Sequence, residues 1–452
     1  MVRKTQRGSC KSKMLRIIKA NAAGIDIGAT EIYIAVPVDR ANQSVRRFGT
    51  FTEDLHEAAK WLKSCGCDSI AMESTGVYWI PIFQILETYG FDIVLVNARH
   101  VKNVPGRKSD VQDCQWLQYL HSVGLLSGSH RPVQEICVVR SLLRHRSELL
   151  THCVSHVQHI QKALTQMNLQ IHHVISDITG VTGLAILDAI LSGERDPKKL
   201  VALKNQRIKA DDVTIIKALV GDYRPEHLFT LKQSLQIYRY YHQMLAECDQ
   251  EIESQLNSFA SQINLDKKPL PPPTSSPRKG KRNEPNFDLR GQMYRLIGTD
   301  LTQIDGISAV TAQIFFSEIG QNLDKFPTKE NFASWLGLCP SNKISGGKIL
   351  SSRTRPGLNR FAQALRMAAM SLWHSQSYLG GYFRRMRAKH GGPKAITATA
   401  HKLARIIYVL VKTGKQFDKS VFNIQEDVYQ KQVLRNLENK AKTLGFQLVP
   451  CQ

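Results

Sequence analysis

The chain has 452 residues, with 61 Lys and Arg against 38 Asp and Glu, so its formal net charge is +23. This length allows two to three domains, and the positive excess favours a polyanionic partner, although charge alone does not separate nucleic-acid binding from a merely soluble basic protein. The nine cysteines lack zinc spacing, and no apolar run approaches the ~18 residues of a membrane span. These features argue against a disulfide framework and a membrane protein, and we expect a cytoplasmic one.

Residues 1–20 are rich in Lys and Arg without acids and are predicted to form a flexible basic arm. From 21 to 130 the pattern alternates between strands and helices. Strands are predicted at 22–27, 31–38, 44–51, 68–73 and 91–97, and helices at 53–65, 77–90 and 109–124. This order, βββαβαβα, is that of an RNase H-like fold, so we predict an α/β domain here.

Four acidic residues fall where such a fold brings them to one end of the sheet. Asp26 ends the first predicted strand, Glu73 ends the fourth, and Asp110 and Asp113 open the last helix. Converging carboxylates are costly unless a cation compensates them, and Mg²⁺ prefers oxygen ligands of this kind. The pattern therefore predicts a magnesium site for phosphoryl transfer. In the alternative interpretation, Asp110 caps its helix, Asp113 faces solvent and Asp26 begins a turn.

Residues 131–265 show long helical periodicity without strands. Two segments, 136–167 and 229–259, are predicted to pair as a helical hairpin or coiled coil, with shorter helices at 169–228 between them. His152, His156 and His159 share one helical face at a spacing that a metal would accept, but we interpret them as imidazoles on a polar face because no acid or thiol ligand is evident beside them. The stretch 266–288 is rich in proline and basic residues and is predicted to be a linker.

Residues 289–425 are predicted to form a second compact, mainly helical domain, followed by a tail at 426–452. IDGISAVTAQIFFSEIG at 304–320 has the pattern of a helix-hairpin-helix element, whose glycine turn would hold a phosphate; a plain αα-corner fits it equally well. Ser345 precedes Gly346 and Gly347, so its hydroxyl can approach a phosphate closely. Taken alone, SGGK favours a flexible surface loop.

The two clusters together resemble a known family. The D…E…D-x-x-D pattern, followed by LGLCPSNKISGGK and LNRFAQALR, is similar to the DEDD transposases of the insertion-sequence one-ten family. The resemblance covers nearly the whole chain and is strongest at 22–125 and 301–415. It implies an N-terminal RuvC-like domain joined through a coiled coil to a C-terminal transposase domain.

Carried over residue by residue, the resemblance implies specific roles. Asp26, Glu73, Asp110 and Asp113 would be the catalytic, metal-binding quartet, and Ser345 the nucleophile. The chain would be a DNA recombinase that works through a phosphoserine intermediate and binds donor and target double-stranded DNA. A structured bridge RNA would guide it, a dimer would assemble into a tetramer, and the protein would lie with the bacterial nucleoid.

Basic residues near the two clusters are the candidates for nucleic-acid contacts, which position a protein on the phosphate backbone. They are Arg107, Lys108, Lys343, Lys348, Arg353, Arg355, Arg360, Arg384, Arg385, Arg387 and Lys394.

Two other functions remain open from the sequence. One is a metal-dependent hydrolytic endonuclease of the RuvC type, in which the four acids activate water and Ser345 is dispensable. The other is a nucleic-acid-binding protein without catalytic activity, in which loss of Glu73 or Asp110 changes nothing.

Overall fold

The computed structural model describes residues 15–74, 76–96, 109–273, 283–355, 357 and 359–449, without the side chains of 423–427. The chain forms two compact units that divide between Arg131 and Pro132. In the described residues, no helix combines the length and the apolar character needed to cross a membrane.

The first unit is a mixed α/β unit built on a five-stranded sheet. Its strands are β1 (Ala22–Ile27), β2 (Glu31–Ala35), β3 (Val45–Gly49), β4 (Ser69–Glu73) and β5 (Asp92–Val96), in the order β3-β2-β1-β4-β5. Its described helices are α1 (Thr52–Ser64), α2 (Trp79–Thr88) and α3 (Asp110–Ser122). The first three strands pair antiparallel, whereas β4 and β5 run parallel to β1. Within the described residues, the predicted succession of strands and helices is confirmed.

The two faces of this sheet bury different residues. Ile25, Ile70 and Met72 lie in the core formed with α1 and α2. Because successive side chains of a strand alternate between faces, Gly24, Asp26 and Glu73 belong to the opposite face, where α3 packs against β1. The apolar character of β1 and β4 is therefore typical of central strands covered on both sides.

Helix α3 lies directly on β1 because Gly24 has no side chain. A Cβ atom at this position would stand 2.3 Å from the backbone nitrogen of Gln118 and 2.4 Å from the carbonyl oxygen of Cys114. The side chain of Gln118 also donates a hydrogen bond to the carbonyl of Ala22 at 3.1 Å. The Oγ of Ser69 on β4 lies 2.8 Å from Nε2 of His121. These contacts fix where the helix begins relative to the ends of β1 and β4.

The second unit contains two long helices, α4 (Gln134–Gln166) and α9 (Pro225–Asn257), which pack against each other as the predicted hairpin. Four short helices connect them: α5 (Ile171–Val174), α6 (Val181–Leu191), α7 (Pro197–Val201) and α8 (Asp212–Ala218). The short helices share a core with one end of the pair, which includes Leu164, Ile186 and Leu235. A buried ion pair between Arg146 and Asp249 connects the two long helices.

The rest of this unit is mainly helical, as predicted. It consists of α10 (Leu289–Ile297), α11 (Ala309–Ile319), α12 (Lys329–Trp335), β6 (Lys343–Ser345), β7 (Lys348–Ser351), α13 (Arg360–Ser371), α14 (Tyr378–His390), α15 (Gly392–Thr413) and α16 (Ser420–Thr443), with 3-10 turns at Leu301–Gln303 and Leu372–His374. One continuous core joins Phe315, Phe316 and Phe361 to Ile136 and Ile252 of the long helices.

The structure differs from two sequence interpretations. The flexible loop expected around Ser345 is wrong, because β6 and β7 form an antiparallel hairpin whose turn is Gly346-Gly347. Their φ angles of 54° and 75° are the left-handed values that a tight two-residue hairpin turn requires.

The linker predicted at 266–288 is also held down along its described flanks. The carbonyls of Lys268, Pro271 and Pro272 accept hydrogen bonds from Tyr294, Arg290 and Gln303 respectively. Proline lacks an N–H but keeps its carbonyl, so a proline-rich stretch can be anchored through its acceptors.

The glycine turn of the helix-hairpin-helix candidate is packed inside the unit. Gly306 has φ 87°, and a Cβ there would lie 3.0 Å from the carbonyl oxygen of Ala368. The N–H of Ile307 donates to the carbonyl of Ile304, and that of Thr311 to the Ser308 side chain. These N–H groups are satisfied within the fold, and the phosphate-binding role stays a prediction.

We expect Gly24→Ala to lower the free energy of unfolding of the first unit by about 2 kcal/mol or more, because its methyl group would overlap the backbone of α3. Urea denaturation of the full chain measures this change. The control is Gly128→Ala, where the added Cβ would lie 3.4 Å from Val94 Cγ1 and the cost should stay within ~0.5 kcal/mol. Equal stability of the two variants would contradict the close packing of α3.

Candidate acidic site and basic surfaces

Asp26 and Glu73 stand side by side at the carboxyl ends of two parallel strands. Ile25 pairs with Met72 in the β1/β4 register, so the next residues along, Asp26 and Glu73, are neighbours. Both are half-buried. Neighbouring carboxylates on one face of a sheet repel each other unless a proton or a cation lies between them.

Helix α3 adds two further carboxylates to this end of the sheet. The helix begins at Asp110 after its N-cap Ser109, whose side chain accepts a hydrogen bond from the Gln112 N–H. Asp110 and Asp113 occupy its first turn, the first exposed and the second half-buried. Because Ser109 supplies the cap, the alternative interpretation that Asp110 caps the helix is wrong.

The electrostatics of Asp26 reflect all four acids. Burial raises the pKa of Asp26 from its ordinary value of 3.8 to about 6, with further contributions from the charges of Asp110, Asp113 and Glu73. The alternative that Asp26 only begins a turn does not explain this convergence of charge. Glu73, Asp110 and Asp113 are therefore all close enough to Asp26 for their charges to act on it.

The donor set suits a divalent cation in its chemistry. It consists of carboxylate oxygens, the ligands that Mg²⁺ prefers, and its mutual repulsion would become attraction around a positive charge. Across the described part of the chain, however, no three or more His, Cys, Asp or Glu side chains are already arranged to hold a metal ion. The quartet provides the charge and the oxygen atoms, and its assignment as a metal site stays a prediction.

Ser345 lies on an exposed hairpin of the second unit. It is the last residue of β6 and faces Lys348 across the turn, and every residue from 341 to 350 is exposed. A Cβ added at Gly346 or Gly347 would meet nothing within 4 Å. The hydroxyl is therefore open to a large substrate, with Lys343 and Lys348 on the same hairpin.

The predicted basic residues differ in whether they make contacts within the fold. Lys343, Lys348, Arg353, Arg360 and Lys394 are exposed, and Arg107 and Lys108 lie outside the described residues.

The other four make contacts within the fold. Arg355 donates to the carbonyl and hydroxyl of Ser334, and Arg384 donates to the carbonyls of Trp373 and Ser375. The guanidinium carbon of Arg385 is 4.2 Å from the ring centroid of Tyr429, and that of Arg387 is 3.6 Å from that of Trp373. These arginines stabilise the helical unit, which the sequence alone did not indicate.

The three histidines of α4 gather around a tyrosine. His152 and His156 both stack on Tyr241 of α9, and the rings of His156 and His159 meet edge to face at 5.4 Å. Burial lowers the pKa of His156. His152 and His159 are exposed, as expected for imidazoles on a polar face, and His156 is half-buried against Tyr241.

Two family models match the chain. A model described as a transposase, the DEDD type of IS110, matches residues 23–169, and a model described as a transposase of the IS116/IS110/IS902 family matches residues 298–384. Together they span just over half of the chain. The chain belongs to the IS110 family of transposases.

Two curated proteins are similar in sequence to part of this IS110-family chain. One, named "Putative transposase y4pF/y4sB", from Sinorhizobium fredii, is 29% identical over 128 residues, which cover 26% of this chain and 32% of the relative. The other, named "Insertion element IS110 uncharacterized 43.6 kDa protein", from Streptomyces coelicolor, is 25% identical over 120 residues, which cover 26% of this chain and 29% of the relative. The matched part is therefore about a third of each relative. Membership of the DEDD family implies a requirement for a divalent metal.

Gly24 positions α3 against β1, and the sequence did not indicate this role. The sequence did contain a pattern that could have indicated it. Gly24 comes two residues before Asp26 on the same face of β1, and a helix with two acids follows later in the chain. Without the pairing of that helix with β1, the glycine is indistinguishable from one in an ordinary turn.

We expect Asp26→Asn to stabilise the metal-free protein at neutral pH. The folded-state pKa of about 6 exceeds the ordinary 3.8, so the stability that wild type has below pH ~4 is lost as the pH rises towards ~6. At pH 7.5 with a chelator, the free energy of unfolding of the variant should exceed that of wild type by on the order of 1–2 kcal/mol, a range that allows for solvent screening.

Denaturation at pH 4 and pH 7.5 measures this effect, and the difference should vanish at pH 4. Added Mg²⁺ should raise the Tm of wild type more than that of the variant. The matched control is Asp39→Asn, which changes an exposed carboxylate of the same unit. If wild type and Asp26→Asn had the same pH dependence, the carboxylates would not converge as described.

Proposed function

We propose that this chain is a transposase that cuts and rejoins DNA strands through a phosphoserine intermediate. The observation that carries the proposal is the convergence of three carboxylates on half-buried Asp26, where a DNA-cutting enzyme of the DEDD type needs them. The order of strands and helices in the first unit supports an RNase H-like, RuvC-like fold. Family membership supports DNA as the substrate.

Asp26, Glu73, Asp110 and Asp113 would hold Mg²⁺. The bound ions would stabilise charge on the entering and leaving oxygens of a phosphoryl transfer. The chain's own contribution is the placement of these acids on a rigid sheet edge and a packed helix. Because the site is half-buried, its charges act through a medium that screens them less than bulk water does.

Ser345 is the proposed nucleophile. Its Oγ attacks a DNA phosphorus atom, a bond forms between Oγ and phosphorus, and the bond between phosphorus and the 3′ oxygen breaks. The serine loses its proton, and the 3′ oxygen gains one and leaves as a hydroxyl. The phosphodiester energy is retained in the serine ester, so attack by a second 3′-hydroxyl rejoins the strand and restores the serine.

Lys343 and Lys348 would bind the phosphate that Ser345 attacks. Both are exposed on the same hairpin, and Lys348 faces Ser345 in the strand register. Two cations beside a hydroxyl favour the charge that develops on the phosphoryl oxygens during attack.

The acids and the serine belong to different units of the chain, so we propose that the active site is composite. One copy of the chain would supply the serine, and a second copy would supply the acids. A homodimer that assembles into a tetramer would bring together donor and target DNA.

We further propose that a structured bridge RNA selects the DNA. The net charge of +23 supports a polyanionic partner larger than the cut site alone. Base pairing would then carry the sequence information, while exposed basic residues such as Arg353 and Lys394 bind phosphates, which positions the nucleic acid without reading it.

We expect Ser345→Ala to abolish a covalent protein–DNA adduct while binding to the same DNA stays within about twofold of wild type, because one exposed hydroxyl contributes little to phosphate binding. The measurement is a denaturing gel of protein incubated with labelled insertion-sequence-end DNA, co-purified RNA and Mg²⁺. Asp26→Asn should lose the adduct as well, because the reaction then lacks its metal site.

The control for this experiment is Ser352→Ala, which removes a second exposed hydroxyl just beyond the hairpin. It should retain the adduct. An adduct that persisted in Ser345→Ala would refute the nucleophile, and cutting without any adduct in wild type would instead identify a hydrolytic nuclease.

RNA guidance makes a separate prediction. Protein purified from its natural host should carry one discrete structured RNA encoded beside its own gene, and sequencing of the co-purified RNA measures this. Random cellular RNA at the same yield would contradict guidance but leave the DNA-cutting proposal intact.

A further inference from the structure

A cleft of about 760 Å³ lies in the second unit, and neither the serine hairpin nor the four acids line it. Helices α4, α11 and α13 form its walls, together with Asn283 and Glu284. Its volume falls in the range of small-molecule binding sites. Nothing in the proposed cutting reaction uses it.

A buried amide in this cleft has an unmade hydrogen bond. Gln313 on α11 is only 3% exposed, and in the described part of the chain its Nε2 has no hydrogen-bond partner. A buried donor without a partner costs about 1–3 kcal/mol, so native folds rarely keep one without a reason. Gln313 lines the cleft, and a ligand with an oxygen or ring-nitrogen acceptor would satisfy it.

The cleft also has a positive character. Four arginines line it against two glutamates, Glu284 and Glu318. Arg140 and Arg144 both pair with Glu318, and Arg146 pairs with the buried Asp249. Arg360 is exposed at the first position of α13, and in the described residues it makes no ion pair. It is therefore available to an anionic group of a ligand.

Apolar groups supply the remaining wall. Leu143, Val310 and Ile314 are partly buried beside the cleft. Met367, which also lines it, has 64% of its surface exposed. A flexible thioether packs well against the face of an aromatic ring. The cleft thus offers a surface for a flat ring, a donor for the edge of that ring and a cation for an anion attached to it.

We propose that this cleft binds one unpaired nucleotide of a nucleic acid. Gln313 would donate to the edge of the base, Met367 and Ile314 would contact its face, and Arg360 would bind the phosphate. A base that is still paired in a duplex cannot reach an amide buried to this degree, so the nucleotide must come from a single strand or be turned out of a helix. The inference rests on the proposed function only in taking a nucleic acid as the ligand.

The test is a titration of nucleoside 5′-monophosphates, in ribose and deoxyribose forms, into the full chain carrying Ser345→Ala. Calorimetry and thermal shift measure binding, and no DNA cutting is involved. At least one nucleotide should bind saturably and raise the Tm. Gln313→Leu should weaken it about tenfold, while the ligand-free variant stays as stable as its parent or gains stability, because a buried unpaired amide has been removed.

Further variants separate the two parts of the ligand. Gln313→Met keeps the length of the side chain but loses the donor, and should weaken binding about as much as Gln313→Leu. Arg360→Ala should weaken the nucleotide but not the matching nucleoside. Gln432→Leu and Arg435→Ala, both exposed on α16, are controls that should bind as the parent does. Tighter binding of the ribose form assigns the nucleotide to RNA, and equal binding of both forms admits either strand type.

The proposal is overturned if no nucleotide binds at ~10 mM, a concentration that detects even millimolar affinity. It is also overturned if inorganic phosphate displaces the nucleotide completely at equal concentration, or if Gln313→Leu binds it as tightly as the parent does. Each of these results leaves the adduct assay of the proposed function unaffected.

Discussion

The contact between α3 and β1 at Gly24 determines where the acids of the helix lie relative to those of the sheet. A helix whose backbone contacts the backbone of a strand has little freedom to slide or tilt. The two acids in the first turn of α3 therefore keep a fixed position relative to β1. The contacts of Gln118 with Ala22 and of His121 with Ser69 fix the same helix along its length. The packing of α3, which lies away from the acids themselves, thus keeps carboxylates of like charge close together. The stability of the unit thus maintains a site that is electrostatically unfavourable until a cation binds.

Much of the positive charge of the second unit serves its own folding. Arg295 donates to the carbonyls of Leu256 and Phe259 at the end of α9, and Arg140 donates to those of Ser317 and Glu318 at the end of α11. Guanidinium groups at helix C-termini satisfy orphan carbonyls and interact favourably with the helix dipole. The charge of +23 therefore overstates the number of cations that are free to bind nucleic acid.

The sequence predicted the elements better than their contacts. Apolar runs and helical spacing located β1, β4, α3 and the long helix pair, because burial imposes those periods directly. The four acids were predicted as one group because they lie where predicted elements begin or end. The hairpin at Ser345 was not, since two adjacent glycines are equally typical of a loop. The roles of Gly24, Gln313 and Arg384 depend on residues far away in the chain, and periodicity carries no such information.

Metal binding itself tests whether the four carboxylates form a metal site. Mn²⁺ titrated into the metal-free full chain and followed by electron paramagnetic resonance reports the bound ions. The account predicts saturable binding of ~1–2 ions per chain in wild type, and its loss in both Asp26→Asn and Glu73→Gln. Binding that persisted undiminished in both variants would show that the converging carboxylates do not form the metal site.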